Sequence, residues 1–522
     1  MMKTQHTSVA DAHGAATYKA QDDATNAQDD TTDVAPGETG ASAPAGDTTK
    51  LWAKGYTLHP AIERYAAARN AALDAELARH DLWGSLAHAR MLRRVGLLSA
   101  DEWATLDAAL RALTVAAERG ALRPALAEED IHTTIEQALI ARIGDIGKQL
   151  HTGRSRNDQA LVDLRLYTKE ALLGVVAEAL ATAEALLALA QRHEWTPMPG
   201  YTHMQRAMLS SVGLWAASYA EALLDDCVAL DAAYILNDQS PLGSAAAYGA
   251  PLPLDRAYVA RLLGFARPHH NTLTAANARG KFEVATIQAL TLVMLDLSKF
   301  AQDVLLFTTS EFAFFRAPVE LCDGSSIMPQ KRNVSALELV RARAHTVAAL
   351  QTQALTTLIG LPSGYNMDYQ ETKAPLIESL HITRESLGVV RLFAAGLEPQ
   401  PERMAAACDA ELFATDRAYE LVAQGVPFRD AYRQVAADPG AQDPGDLVAR
   451  LRARAHEGAP GALDLPGVAT RLAAERAAWD QRRVHFTDAI FALIGGEQSS
   501  MAEDVQTADA HGFTENGADG MI

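Results

Sequence analysis

Two stretches of this chain, 171–190 and 285–307, are apolar over many consecutive helical turns. Only Glu178 and Glu184 place charge in the first, and Asp296, Lys299 and Asp303 in the second. Segments this apolar must leave water, either into a bilayer or into a protein interior. The interrupting charges argue against a bilayer, so both are expected as long helices buried on several sides within a bundle. From Leu51 to about Gly153 the Ala/Leu/Arg/Glu-rich runs 60–79, 81–96 and 99–119 repeat the helical period between short turns, and no alternating strand pattern competes with them. The N-terminal part and both apolar stretches are therefore expected to be helical. An aromatic content of only 6% suits tight packing of Ala and Leu between helices.

Length and charge narrow the function. A chain of 522 residues is long enough for two or three domains and a large core. Its formal charge of −19, without a clustered basic stripe, excludes neither small anions nor local Arg and Lys sites. It does make a nucleic-acid backbone or an anionic membrane a poor partner. Residues 1–50 and 496–522 are polar, hold more than half of the net negative charge and have too little apolar surface to offset ordering, so both are expected to be disordered tails. Between them, changes in pattern suggest a helical domain over 51–153, a helical-bundle domain over 154–403 and a small C-terminal helical domain over 404–495. Nothing near the start has the apolar run of a signal peptide. Cys227, Cys322 and Cys408 lack metal-ligand spacing, and both features fit a reducing cytoplasm.

The chemistry concentrates in Gly324-Ser325-Ser326-Ile327-Met328-Pro329-Gln330-Lys331-Arg332-Asn333. Gly324 and Pro329 punctuate a loop that brings together a hydroxyl, an ammonium and an amide. Serine is a poor base unless its surroundings favour the alkoxide, and Lys331 is the obvious positive charge to do so. Cys322, close to Ser325, reads as inert filler or as a second reactive group. Downstream, Glu338 follows Ser335 at capping-box spacing.

Three further strings carry site-like residues. In His151-Thr152-Gly153-Arg154-Ser155-Arg156-Asn157-Asp158-Gln159, Ser155 and Asp158 form a candidate cap, and a long helix follows with Leu161, Leu164, Leu172, Leu173, Val176, Leu180 and Leu187 toward a core. Arg156 and Asn157 then fall in the first helical turn, where free N–H groups, the helix dipole and a guanidinium fork suit a carboxylate. Met198-Pro199-Gly200-Tyr201-Thr202-His203 reads as a Pro-Gly turn feeding a helix, with Thr202 as N-cap or His203 facing a cleft. The third string is Tyr365-Asn366-Met367-Asp368-Tyr369-Gln370-Glu371-Thr372-Lys373, a polar helix start.

Taken together, these strings resemble the argininosuccinate lyase branch of the fumarase/aspartase superfamily, over roughly residues 51–435. Asp81-Leu82-Trp83-Gly84-Ser85-Leu86-Ala87-His88 and Glu129-Asp130-Ile131-His132 are also similar to its N-terminal domain. The resemblance implies a three-domain, all-α fumarase/aspartase-like fold, a homotetramer with shared active sites, a small-molecule substrate, and no metal or organic cofactor. It implies an anti elimination across a C–N bond that releases fumarate. Ser325 would be the base, Lys331 and Asn333 would stabilise the aci-carboxylate, and His203 with Glu338 would deliver a proton to the leaving nitrogen. Thr202, Ser155, Arg156, Asn157, Gln330 and Asp130 would seat the substrate, and Tyr365, Gln370 and Lys373 its amino-acid half.

The sequence also departs from that family. Leu51-Trp52-Ala53-Lys54-Gly55-Tyr56 replaces Leu-Trp-Gly-Gly-Arg-Phe, and Ala72 stands where a serine is expected. Arg279 survives without its flanking acids, Val334 replaces proline, and Tyr432 replaces histidine. These departures leave two alternatives beside argininosuccinate cleavage: a related lyase for another N-substituted aspartate, and an inactive structural or binding homologue.

Overall fold

The computed structural model describes residues 59–124, 130–438 and 444–495. The expected disordered tails and the 51–56 segment lie outside the described residues, as does the side chain of Ala72.

Helix α1 (Pro60–Arg94) starts at a proline whose missing N–H costs nothing in a first turn, and His59 caps it. The break expected near residue 80 is absent: neither Gly nor Pro stands at 79–81, His80 and Asp81 are buried rather than looped out, and Gly84 is accommodated within the helix. Helix α2 (Ala100–Glu118) begins with a reciprocal Ser99/Glu102 capping box. Helices α3 (Ile131–Ile143) and α4 (Asp145–Lys148) lead to α5 (Arg156–Arg192).

Where a Pro-Gly turn was expected to feed a helix, the chain forms an antiparallel hairpin, β1 (Pro197–Thr202) with β2 (Gln205–Ser211). Helix α6 (Val212–Asn237) follows only after Ser211, which caps it. The short helices α7 (Arg256–Leu262) and α8 (Thr272–Asn277) then precede α9 (Lys281–Phe307), α10 (Ser335–Leu358) and α11 (Lys373–Gly396). Four small helices, α12 (Pro401–Ala406), α13 (Ala414–Ala423), α14 (Phe428–Ala437) and α15 (Leu447–Arg452), lie before the final α16 (Leu465–Gly495). The remaining strands are two-residue pairs, so the all-α expectation holds.

The two apolar stretches lie in α5 and α9, inside a bundle in which α5 packs on α6 and α11, and α9 on α6, α10 and α11. Every core position expected of α5, from Leu161 to Leu187, is buried, and α9 adds Leu290, Val293 and Leu297. Each such side chain contributes about 1.5–3 kcal/mol by leaving water. Lys169 is sunk among them. Its ammonium donates to Asp238 Oδ1 and the Gly264 carbonyl, both at 2.5 Å, and lies 4.4 Å from the Phe265 ring and 5.0 Å from Phe486 of α16. This one cation ties the C-terminal helix to the bundle.

Candidate active site

The N-termini of α3 and α5 meet at one end of the bundle. Ser155 and Asp158 cap α5 reciprocally, as expected, with Asp158 Oδ1 accepting Ser155 N–H at 2.8 Å and Ser155 Oγ accepting Asn157 N–H at 3.3 Å. The other Asp158 oxygen accepts Gly243 N–H at 2.9 Å and Ala245 N–H at 2.8 Å, which ties the helix start to the 243–245 loop. Burial nonetheless raises this carboxyl to about 6.

Arg156 and Asn157 occupy the first turn of α5. Arg156 donates to Thr133 Oγ1 at 2.9 Å and lies 3.3 Å from Asp130 Oδ2. Asp130 caps α3, accepting Thr133 N–H and Thr133 Oγ–H at 2.8 Å each. Two residues expected to contact substrate separately are thus paired with each other, with Thr133 between them. Thr133 joins this candidate site without having been singled out in the sequence, though its place at the third helical position after an Asp cap is a readable signal.

The 365–373 string comes to the same place. Tyr365 Oη accepts from Gln370 Nε2 at 3.2 Å, and Tyr365 lines one small cavity with Asn157 and Arg279. Lys373 is buried at the start of α11 and ion-paired with Asp74 of α1, whose other oxygen accepts Ile131 N–H at 3.4 Å. Asp74 was also missed, since nothing in its local sequence marks a partner so far along the chain.

Beneath Asp130 lies a buried group made by His132, Asp81 and Asp163. His132 Nδ1 bonds to Asp81 and lies 3.7 Å from Asp163. Three potential metal-ligating atoms fall within 4.8 Å of one another there. The imidazole already serves as the cation, and Arg154, 3.0 Å from Ser85 Oγ, adds positive charge beside Asp81. Burial works against the Asp81 charge, but the neighbouring His132, with Arg154, more than reverses it and holds Asp81 below the usual carboxylate range. His88 is structural. Its Nε2 pairs with the Thr152 carbonyl at 2.9 Å, and burial with Arg154 nearby lowers it to about 3, so it is neutral.

The loop around Ser325 closes at its neck, where Asp323 and Asn333 exchange both backbone hydrogen bonds, 3.0 and 2.9 Å. Inside it Ser325 Oγ accepts the N–H groups of Ile327 at 3.4 Å and Met328 at 3.3 Å. Ser335 was expected to share a capping box with Glu338. Instead Val334 is the N-cap residue of α10, and the Ser335 hydroxyl donates to Asp323 Oδ1 at 2.9 Å, which braces the loop neck. Glu338, Gln330 and Lys331 are exposed, and their side chains make no hydrogen bond among the described residues.

His203 and Met204 form the tip of the β1–β2 hairpin, at φ 53° and 62°. Two consecutive left-handed residues define the type I′ turn that matches strand twist, usually made by Asn-Gly. Thr202 closes the turn opposite Gln205 rather than capping a helix. Arg206 anchors the hairpin to the C-terminal elements through Asp409 Oδ2 at 2.5 Å and the Ala407 carbonyl at 3.1 Å.

The fold therefore gathers Ser155, Arg156, Asn157, Asp130, Tyr365, Gln370 and Lys373 around the helix ends. It places Ser325, Gln330, Lys331, Asn333 and Glu338 in and after a separate closed loop, and Thr202 and His203 on a separate hairpin. No hydrogen bond or ion pair joins the hairpin tip or the loop side chains to the first group among the described residues.

A family model described as Lyase matches residues 63–349. An argininosuccinate lyase from Sorangium cellulosum is 47% identical over 428 residues, covering 81% of this chain and 99% of that one. Another from Thermotoga neapolitana is 38% identical, covering 75% and 98%. In fold, the chain is similar to EDDS lyase in complex with formate (TM-score 0.71, 23% identity, 88% of this chain and 98% of that one). It is also similar to class II fumarase from Schistosoma mansoni (TM-score 0.60, 15% identity, 72% and 88%). Matches at this identity across nearly the whole length of the relatives show that the chain belongs to the argininosuccinate lyase family of the fumarase/aspartase superfamily.

Proposed function

We propose that this protein cleaves the C–N bond of argininosuccinate by anti β-elimination, giving fumarate and arginine. The observation that carries the chemistry is the environment of Ser325. Removing a proton beside a carboxylate needs a strong base, and two backbone N–H groups on Oγ favour the alkoxide over the alcohol. Lys331 and Asn333 leave the same loop with side chains available to charge developing on the substrate carboxylate. His203, brought to a Glu338 by assembly of copies, delivers the proton to the leaving nitrogen, and Thr202 and Gln330 help seat the fumarate-forming half. Ser155, Arg156, Asn157 and Asp130 bind the substrate at the two helix ends, with Tyr365, Gln370 and Lys373 on the amino-acid half.

Assembly belongs to the same proposal. Among the described residues, no hydrogen bond or ion pair joins the side chains of the hairpin tip or the loop to the helix ends to build one site. The bundle also presents exposed apolar side chains, Leu292 and Leu295 on α9 and Leu339 and Leu355 on α10, which suit burial against further copies. A homotetramer with shared sites satisfies both features, and a cytoplasmic location fits the unpaired Cys227, Cys322 and Cys408.

The test is fumarate release by the purified full chain from argininosuccinate and from a panel of other N-substituted aspartates, with the mass in solution measured in parallel. Turnover of argininosuccinate above all others by a tetramer is the expected result. Turnover confined to another aspartate would replace the substrate and keep the mechanism. Silence with every substrate would overturn both.

A further inference from the structure

Arg279 has no place in the elimination as described, yet its position is costly. It follows α8 and is only 3% exposed, and its Nε and one terminal nitrogen have no hydrogen-bond partner. A buried guanidinium left in that state destabilises a fold unless something else depends on it. Two contacts show what does. Its guanidinium carbon lies 5.2 Å from the centre of the Tyr365 ring. Two residues earlier, Asn277 Oδ1 accepts the N–H of Gly364 at 2.8 Å. The short 277–279 segment thus grips the 364–365 loop twice, once by its backbone and once by the aromatic face.

Charge compensation comes from one turn further on. Glu283, in the first turn of α9, is 4% exposed, and neither of its carboxylate oxygens bonds to another side chain. Burial raises its carboxyl, while the backbone N–H groups at the start of α9, then Arg279 and the buried Arg165, pull it back toward the charged form. Gly280, at φ 78°, makes the sharp entry into α9 between Arg279 and Glu283.

We propose that Arg279 is a positioning residue for the amino-acid half of the substrate: it fixes the ring of Tyr365, and through the Tyr365–Gln370 hydrogen bond the amide of Gln370, with Glu283 as its buried counter-charge. The inference rests on the proposed function, which gives Tyr365 and Gln370 their substrate. A cation over an aromatic face orients the ring as well as holding it, and only a planar guanidinium can stack, so lysine is not equivalent.

Two readouts test this, one of which does not need turnover. The first is a double-mutant cycle on KM and kcat with Arg279→Met, Arg279→Lys and Tyr365→Ala. Arg279→Met/Glu283→Gln is included so that a lone buried carboxylate does not decide folding, and thermal unfolding is followed throughout. Arg279→Met is expected to raise KM about tenfold with kcat changed much less, Arg279→Lys to recover only part of this, and the effect to nearly vanish in a Tyr365→Ala background. Additive KM effects, or an unchanged KM in the folded double variant, would overturn the proposal. The second is fluorine NMR of fluorotyrosine-labelled protein, with the Tyr365 resonance assigned by Tyr365→Phe. Arg279→Met should move that resonance toward those of exposed tyrosines, and a resonance that stays in place would equally overturn it. A wild type inactive on argininosuccinate, with the resonance moving as expected, would instead count against the proposed function alone.

Discussion

Lys373 of α11 and Asp74 of α1 form an ion pair across 299 positions of sequence, with both side chains 4% exposed. Asp74 also accepts the first N–H of α3, so the pair holds together α1, α3 and α11. Breaking a buried pair by removing one partner strands the other, at about 3–5 kcal/mol. Asp74→Ala should therefore lose roughly that much in urea unfolding and raise KM. Asp74→Leu/Lys373→Met should regain most of the stability but not the KM. Equal stability losses in the single and double variants would contradict this arrangement.

The hairpin tip gives a second prediction. His203 and Met204 both hold positive φ without being glycine, a conformation that costs about 1–2 kcal/mol per ordinary residue and more for a β-branched one. Met204→Ile should lower stability by about 1–2 kcal/mol and reduce kcat, because the histidine is aimed by this turn. Met204→Asn, which tolerates the conformation, should be at least as stable as wild type. An Ile variant with unchanged melting temperature would argue against the type I′ geometry.

The buried His132 group predicts a pH dependence. Although burial opposes its charge, Asp81 raises His132 above its ordinary 6.5, so this contribution is complete below pH 6.5 and fades as pH rises through the folded value. Asp163 has the opposite sign. Burial first and Asp81 second push its carboxyl well above 3.8, so it withdraws stability as pH climbs from 3.8 toward the folded value. Asp163→Asn should then gain stability relative to wild type as pH increases, with little difference at the acid end. A difference independent of pH in urea unfolding would rule out a raised Asp163.

What was legible in the sequence was mostly local. The Ser155/Asp158 cap needs only four consecutive residues, and the apolar runs of α5 and α9 carry their own period, so both appear as read. The β1–β2 hairpin was missed because its turn, His203-Met204, lacks the Asn or Gly that usually announces positive φ, and Pro199-Gly200 mimics a helix lead-in. Glu338 lost its expected cap partner to a contact no local rule sees, since Asp323 on the far side of the loop takes the Ser335 hydroxyl. The same reason hid Asp74 and Asp163, whose partners are brought together only by helix packing.

Of all measurements, the rate of fumarate formation from argininosuccinate by wild type and by Ser325→Ala tests the account most directly. Equimolar fumarate and arginine are expected from wild type, and a rate about 10²–10⁴-fold lower from Ser325→Ala with an unchanged melting temperature. Wild-type rates in that variant would contradict Ser325 as the base, and no fumarate from the wild-type protein would contradict the reaction itself.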